Sequence, residues 1–310
     1  MSQKKTRVLV TGGSGMVGKH LKEIKPNWKY LSSKDCDLTN FLDVEKLLID
    51  EKPDRIIHLA AKVGGILQNI ASPADFYDEN ITINTNLLIA AKNLKIPRLT
   101  AILSTCMYPD TVSRYPISED DLHKGPPAFS NLSYGYSKRC AAVQIEAYKY
   151  QHKLKYNYLI PCNLYGEHDD FENFEKSHFV TALISKIIEA EKLGKDKITL
   201  FGTGNPLRQF LYSGDFARII QQVSDRDITE SFNVAPPDHN YSIDQMAKIV
   251  LKALKKNSWK IEYDSKKPDG QFRKDVDSKK MMTHLPEFSF TRFHEGVLKV
   301  YKILKEKSEN

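Results

Sequence analysis

The sequence predicts an α/β fold in which a doubly wound parallel sheet is joined to a smaller, interleaved C-terminal lobe. The first half of the chain alternates short apolar strands with amphipathic helices, which is typical of a parallel sheet covered by helices. A glycine-rich loop at residues 12–18 stands between the first strand and the first helix. Beyond about residue 166 the alternation loosens, and this change predicts the second lobe.

Each element is predicted from its apolar pattern and from the residues that bound it. In the first half, the predicted strands are 7–11, 28–31, 55–61, 99–104 and 156–161, and the helices are one ending near 24, then 42–50, 80–93 and 134–150. In the second half, the predicted helices are 179–192, 243–255 and 293–306, the strands are 198–201 and 260–263, and residues 208–213 return toward the sheet. We expect a large domain over residues 1–165, rejoined by about 205–222, and a smaller lobe over residues 166–310.

The composition excludes several classes of function. The 310 residues are 41% hydrophobic and 27% charged, as in a soluble globular protein, and no apolar run approaches a membrane span. The N-terminus lacks a signal-peptide pattern and the four cysteines are unclustered, so we expect a cytoplasmic protein without a membrane partner. The net charge of +7 is scattered among 39 acids, which favours a small anionic ligand over nucleic acid. The cysteine spacing predicts neither a disulfide nor a metal site.

The glycine-rich loop predicts a dinucleotide site. Gly12, Gly15 and Gly18 follow a strand and open a helix, so the backbone can bend tightly, approach a pyrophosphate and pack the helix on the sheet. Met16 and Val17 lie in the same loop and belong to this predicted Rossmann-type cofactor site.

The tip of the second strand favours NADP(H) over NAD(H). An NAD site usually carries an acid there to hold the ribose 2′-hydroxyl, but this strand is followed by Ser32, Ser33 and Lys34. Hydroxyls and a lysine can receive a 2′-phosphate, which a carboxylate would repel. Further along the same side of the predicted sheet, we expect Asp37 and Leu38 to border the adenine, and Leu59, Ala60 and Ala61 to line the cofactor.

Ser104, Tyr134 and Lys138 form a candidate reacting centre. Tyr134 and Lys138 are four residues apart, so a helix places the phenol and the ammonium on one face. The lysine charge is then expected to lower the pKa of the tyrosine and fit it for proton transfer. Ser104 ends a predicted strand and is expected to polarise a carbonyl beside the tyrosine.

With the glycine loop, these three residues resemble the extended short-chain dehydrogenase/reductase family. Further blocks that carry the resemblance nearly end to end stand at 62–66, 104–109, 124–127, 161–171, 202–210 and 268–272. They are similar to the branch of the family that acts on GDP-4-keto-6-deoxy-D-mannose, by 3,5-epimerisation and then NADPH-dependent reduction at C4. The resemblance also implies a homodimer built from the helices at 80–93 and 134–150.

The resemblance implies a role for each reactive side chain. Cys106 is the implied base and His178 the implied acid of epimerisation. Ser104 and Tyr134 would hold the enolate oxygen, Tyr134 would then donate a proton to O4, and Lys138 would hydrogen-bond the nicotinamide ribose. The implied substrate-binding residues are Asn163 beside the sugar and Lys186, Arg208 and Lys274 beside the pyrophosphate.

Two departures from the family pattern leave the sugar specificity open. Glu167 stands where the family commonly has proline, and Cys162 where it has threonine. The alternatives are a simple NADPH-dependent 4-ketoreductase, and an epimerase-reductase for another GDP-keto-sugar such as the dideoxy precursor of colitose. An NAD-dependent 4-epimerase and a non-catalytic NADP sensor or scaffold fit the residues less well.

Overall fold

The computed structural model describes residues 6–169, 178–237 and 240–309. The first half contains β1 (Val8–Thr11), α1 (Met16–Ile24), β2 (Lys29–Leu31), α2 (Phe41–Glu51), β3 (Arg55–His58), α3 (Ile66–Ala71), α4 (Pro73–Asn93), β4 (Arg98–Ile102), α5 (Leu132–His152) and β5 (Lys155–Pro161). The second half contains β6 (Asn163–Tyr165), α6 (Phe179–Lys192), β7 (Lys197–Phe201), β8 (Leu207–Tyr212), α7 (Ser213–Asp225), β9 (Phe232–Val234), β10 (Asn240–Ser242), α8 (Ile243–Ala253), β11 (Lys260–Asp264), α9 (Lys279–His284) and α10 (Phe293–Glu309).

The predicted doubly wound sheet is confirmed. Six parallel strands form the main sheet in the order β2-β1-β3-β4-β5-β9. The chain moves from β1 to β2 on one side and returns to β3 on the other side, so the order reverses between β1 and β3. Ligands of such sheets bind outside the carboxyl ends of the strands at this reversal.

The C-terminal lobe has its own small sheets. β8 lies between β10 and β6, and β7 pairs in parallel with β11. The prediction that residues 208–213 return toward the main sheet is therefore wrong for the strand, because β8 pairs within the C-terminal lobe. The next two elements make the return instead: α7 packs against α1, and β9 completes the edge of the main sheet beside β5.

Element bounds differ from the prediction where the site is formed. The strands predicted at 55–61 and 99–104 end at His58 and Ile102, so their last residues form loops at the carboxyl edge of the sheet. α4 and α5 begin earlier than predicted, and α4 starts with proline at its first position, where no backbone donor is needed. The short α3, α7, α9 and the strands β6, β9 and β10 were not predicted.

Two apolar clusters fill the interior of the described chain. One lies around the main sheet and includes Leu9, Ile56 and Leu159. The other lies in the C-terminal lobe, where Ile184 and Val250 pack among the apolar faces of α6, α8 and α10. Within the described ranges, none of the helices combines the length and the apolar character that a membrane crossing requires.

Candidate active site

One cavity of about 890 Å³ opens at the carboxyl edge of the main sheet and extends to the C-terminal lobe. It runs from the glycine loop past the end of β4 to β8, so its two ends belong to different lobes. Every predicted site residue except Lys34 lines it: Gly12, Gly15, Met16, Val17, Gly18, Ser33, Asp37, Leu38, Leu59, Ala60, Ala61, Ser104, Cys106, Tyr134, Lys138, Asn163, His178, Lys186, Arg208 and Lys274. The structure therefore brings together residues that are up to 262 positions apart, from Gly12 to Lys274.

The glycine loop has the close backbone approaches that a pyrophosphate cradle needs. Gly12 has φ +69, and a Cβ there would lie 2.7 Å from the backbone nitrogen of Ala60. A Cβ on Gly18 would lie 2.6 Å from Gly13. Any side chain at either position would push α1 away from the ends of β1 and β3. The loop and the free amides at the start of α1 thus fit the phosphates of a dinucleotide.

The acid nearest to the tip of β2 is engaged locally. One carboxylate oxygen of Asp35 accepts hydrogen bonds from the backbone nitrogen and the hydroxyl of Ser32, both at 2.7 Å, which lower the pKa of Asp35. Ser33, Asp37 and Leu38 line the cavity, whereas Lys34 does not. Of the two residues predicted to contact a 2′-phosphate, Ser33 therefore lies in the cavity, and the role of Lys34 stays a prediction.

Cys106 lies in a short turn that Ser104 caps. The hydroxyl of Ser104 accepts a hydrogen bond from the backbone nitrogen of Cys106 at 3.2 Å. The helix carrying Tyr134 packs closely on this turn. Only glycine fits at position 135, since a Cβ there would lie 2.5 Å from the carbonyl oxygen of Cys106. Ser104, Cys106 and Tyr134 are thus held beside one another by backbone contacts.

Lys274 gives the Cys106 thiol its charge partner. Burial acts to raise the pKa of this thiol, but the Lys274 ammonium, 3.5 Å from Sγ, lowers it together with hydrogen bonds from Ser104, Lys274 and Asn131. The net effect is a pKa below the ordinary value. A cation beside a thiol is the arrangement that favours the reactive thiolate. Lys274, implied by resemblance to bind pyrophosphate, therefore also contacts the candidate base.

Tyr134 and Lys138 share a face of α5, as predicted, with the Lys138 ammonium 5.6 Å from the centre of the Tyr134 ring. The predicted lowering of the Tyr134 pKa is wrong: burial raises it above the ordinary value, the Cys106 charge adds to this, and a hydrogen bond from Ser104 opposes it. The phenol stays protonated at neutral pH, which is the state a proton donor needs. Burial lowers the pKa of Lys138 to about 8, and its ammonium donates to the carbonyl of Ile102.

Asp169 orients His178 at the start of α6. The carboxylate of Asp169 accepts from the backbone nitrogen of His178 at 3.1 Å and from its Nδ1 at 3.0 Å. An ionised carboxylate only accepts, so Nδ1 carries the proton of this pair and Nε2 is left for other contacts. Burial acts to lower the pKa of His178, but the hydrogen bond and charge of Asp169 raise it overall, against the opposing charge of Lys274. The imidazole is thereby fitted to donate a proton.

The far end of the cavity is cationic with one exposed aromatic ring. Arg208 donates to the carbonyls of Leu207 and Asp269, and Lys186 donates to the carbonyl of Thr199. The Phe201 ring, 50% exposed, has the Lys186 ammonium 4.7 Å and the Lys267 ammonium 5.6 Å from its centre. Flat apolar surface beside positive charge suits a nucleoside diphosphate.

Four residues of this site were not assigned a role from the sequence. Asn131, Asp169, Phe201 and Lys267 either line the cavity or hold a residue that does. Asp169 belongs to the block at 161–171 that carried the family resemblance, so that block was its available signal; Asp170 and Phe171 of the same block lie outside the described residues. The others lie on loops or strand ends without a spacing pattern.

Replacing Lys274 with methionine should raise the pKa of the Cys106 thiol. The variant Lys274→Met keeps an unbranched side chain only one atom shorter and removes the charge that lies 3.5 Å from Sγ. The thiolate fraction at neutral pH then falls, and Cys106 reacts more slowly with iodoacetamide. Mass spectrometry of the Cys106 peptide across a pH series measures this, and we expect the midpoint at higher pH than in the unmodified protein.

Lys186→Met is the matched control, since Lys186 lines the same cavity but is not one of the groups that chiefly set the pKa of Cys106. It should leave the Cys106 midpoint unchanged. An identical midpoint in Lys274→Met and the unmodified protein would show that Lys274 does not activate the thiol.

Comparison with known proteins agrees with this geometry. Residues 8–235 match the sequence profile of the NAD dependent epimerase/dehydratase family. The chain is 39% identical over 306 residues to the probable GDP-L-fucose synthase of Drosophila melanogaster, covering 94% of each chain. It is 34% identical to the GDP-L-colitose synthase of Yersinia pseudotuberculosis, covering 92% of each chain. The crystal structure of a GDP-L-fucose synthetase from Naegleria fowleri bound to NADP superposes with a TM-score of 0.85 at 30% identity, covering 99% of this chain and 96% of that one.

Proposed function

The chain belongs to the NAD dependent epimerase/dehydratase family, and from this premise we propose that it converts GDP-4-keto-6-deoxy-D-mannose to GDP-L-fucose with NADPH. Relatives named GDP-L-fucose synthase match nearly the whole chain, and a similar structure carries NADP. The observation that carries the proposal is the pairing of Cys106 with Lys274 and of His178 with Asp169 in the cavity that also holds Ser104 and Tyr134.

Epimerisation needs a base and an acid around one ketone. The 4-keto group makes the protons on C3 and C5 acidic, and removal of either places negative charge on O4. The Cys106 thiolate takes the proton, His178 returns a proton to the opposite face, and hydroxyl groups of Ser104 and Tyr134 stabilise the charge on O4. After each exchange Cys106 releases its proton to solvent and His178 takes one up, so two such exchanges invert C3 and C5 without a net change in redox state.

Reduction uses the same oxygen-binding pair. NADPH, when bound, supplies a hydride to C4. Tyr134 donates its phenolic proton to O4, and Ser104 keeps O4 in place during this transfer. The raised pKa of Tyr134 keeps the proton on the phenol until O4 becomes basic enough to take it. Lys138 is buried beside Tyr134. Its ammonium would donate a hydrogen bond to the nicotinamide ribose and place a positive charge near the phenol.

The preference for NADP(H) is supported by the tip of β2. The carboxylate of Asp35, the acid nearest in sequence to this tip, is engaged by the backbone nitrogen and the hydroxyl of Ser32. Ser33 lines the cavity and would donate to a 2′-phosphate. Gly12, Gly15, Met16, Val17 and Gly18 would bind the pyrophosphate, and Asp37, Leu38, Leu59, Ala60 and Ala61 the adenosine and its surroundings.

Arg208 would bind the pyrophosphate of the GDP-sugar, and Arg208→Ala should raise the substrate KM strongly. Loss of a charge-assisted fork of hydrogen bonds corresponds to a rise of about ten- to a hundred-fold. Arg208→Lys should give an intermediate KM, because it keeps the charge and loses the fork. Steady-state kinetics with saturating NADPH measure both. Arg114→Ala, an exposed arginine outside the cavity lining, is the control, and an unchanged KM in Arg208→Ala would contradict the assignment.

Incubation with GDP-4-keto-6-deoxy-D-mannose and NADPH in deuterated water, with NMR analysis of the product, tests the proposed function. We expect GDP-L-fucose with deuterium at C3 and C5. A reduced product that carries no solvent deuterium at these carbons would instead identify a simple 4-ketoreductase, in which Cys106 and His178 do not act.

A second candidate substrate is the dideoxy precursor of colitose. The 34% identity to a GDP-L-colitose synthase supports it, and Glu167 and Cys162 depart from the family pattern next to the substrate loop. Such a substrate lacks the hydroxyl at C3. Comparison of kcat/KM for the two GDP-keto-sugars decides between them.

We also propose a cytoplasmic homodimer. The four cysteines all lie in the described ranges and are free, which fits a reducing compartment. α4 and α5 pack side by side, and Tyr136, Val143 and Tyr150 of α5 keep an exposed surface that a second copy could cover. Size-exclusion chromatography with light scattering measures the mass in solution.

A further inference from the structure

A cluster of two histidines and two glutamates lies behind the cofactor loop, outside the site described above. His20 and Glu23 are one helical turn apart on α1, and Glu167 and His168 follow β6. Nδ1 of His20 is 3.5 Å from Oε2 of Glu23, and Nε2 of His168 is 2.9 Å from Oε1 of Glu23. The ligand atoms of these three residues lie within 4.8 Å of one another. Tetrahedral zinc, with bonds of about 2.0–2.2 Å, requires ligand atoms about 3.4 Å apart.

The protein contacts leave this cluster unsatisfied. His20 is 4% exposed, yet its Nε2 has no hydrogen-bond partner, and neither does the buried Oε2 of Glu167, which lies 3.8 Å away. The other oxygen of Glu167 accepts a hydrogen bond from the hydroxyl of Tyr212 at 2.7 Å. Burying a histidine nitrogen and a carboxylate oxygen without a hydrogen bond costs free energy. The pair therefore indicates that a further group, which the protein contacts do not supply, orients the two side chains.

We propose that His20, Glu23 and His168 bind a zinc-class divalent metal ion, with Glu167 supporting His20 from behind. The metal takes Nδ1 of His20, a carboxylate oxygen of Glu23 and Nε2 of His168. The proton on Nε2 of His20 then points at Glu167, which is the carboxylate–histidine arrangement that orients metal-bound histidines. Two imidazoles and one carboxylate favour zinc over magnesium or calcium, which prefer oxygen ligands. The Glu23 side chain is 61% exposed, so water can complete the coordination.

The metal would connect two parts of the site. α1 begins at the glycine loop, and the segment after β6 continues from His168 directly to Asp169, which holds His178. A metal ion bound by both Glu23 and His168 would therefore hold the segment that carries Asp169 in a fixed position relative to α1. The spacing of the cysteines could not reveal such a site, because its ligands are two histidines and a glutamate, and Glu23 and His168 are 145 positions apart.

Calorimetric titration of the full-length, untagged protein with zinc chloride tests this proposal. We expect one zinc ion per chain and an increase in melting temperature with zinc but not with magnesium. Glu23→Gln and His168→Gln, both at partly exposed positions, should weaken zinc binding by at least about tenfold, and Glu167→Gln by about ten- to a hundred-fold. Cobalt(II) should give a tetrahedral visible spectrum without a thiolate charge-transfer band.

Two controls separate this site from the reactive thiol. His123→Gln, at an exposed histidine away from the cluster, and Cys106→Ser should both bind zinc as the unmodified protein does. Zinc binding that disappears in Cys106→Ser, or that persists undiminished in Glu23→Gln and His168→Gln, would overturn the proposal, as would no binding at all. Because the measurement is binding and not turnover, its result is independent of the proposed reaction.

Discussion

Cys106→Ser should lose the exchange of solvent deuterium into C3 and C5 by about 10²–10⁴-fold, the contribution of a positioned general base. The thiol has a lowered pKa because Lys274 lies 3.5 Å from Sγ, and a serine hydroxyl in the same turn cannot ionise near neutral pH. The turn itself should survive, since it is capped by the Ser104 hydroxyl and not by the thiol. NMR of the sugar during incubation in deuterated water measures the exchange, and NADPH fluorescence titration should show unchanged cofactor binding.

Two variants complete this experiment. His178→Asn should lose exchange in the same way, because it removes the acid that Asp169 orients. Cys140→Ser is the control, since this partly buried thiol of α5 does not line the cavity. Exchange at the unmodified rate in Cys106→Ser would remove the thiol from the mechanism and leave generic carbonyl reduction.

Tyr134→Phe should reduce the rate of NADPH oxidation by about 10²–10⁴-fold, because Tyr134 is the one tyrosine among the described residues that lines the cavity. The phenol of Tyr134, whose pKa burial raises further, carries its proton at neutral pH, and phenylalanine keeps the ring in the same half-buried position. The Lys138 ammonium stays bonded to the Ile102 carbonyl, so NADPH should still bind. Stopped-flow absorbance of NADPH with the keto-sugar measures the single-turnover rate.

Tyr136→Phe is the matched control for this second experiment. Tyr136 lies on the same helix two residues later, is 36% exposed and does not line the cavity. It should reduce the substrate at the unmodified rate. Equal losses in the two variants, or no loss in Tyr134→Phe, would be incompatible with Tyr134 as the proton donor.

The parts of the fold that were predicted correctly are those with local signals. The first strand, the glycine loop with the helix after it, and the helix at 179–192 have patterns that neighbouring residues fix, and the structure places them where the sequence does. The prediction assigned β8 to the wrong sheet because the apolar pattern of a strand does not indicate which strands it pairs with. Its pairing with β10 and β6 depends on residues more than 25 positions away, which no local pattern records.

The site shows the same division. Family blocks identified Cys106 and His178, but the partners that set their protonation were not apparent from the sequence. Lys274 reaches Cys106 across 168 positions, and its contact depends on how the C-terminal lobe packs on the sheet. The Tyr134 pKa was predicted with the wrong sign because spacing reports the distance to Lys138 and not the loss of water around the phenol.

Because α7 and β9 belong to the second half of the chain but pack on the main sheet and α1, the two lobes should fold as one unit. The last edge strand of the main sheet and the helix that covers α1 are made from residues that come after the first strands of the smaller sheets. A fragment that stops near residue 165 would thus expose the open edge of β5 and an uncovered face of α1, and should aggregate when expressed alone. The intact chain should instead melt in one cooperative transition.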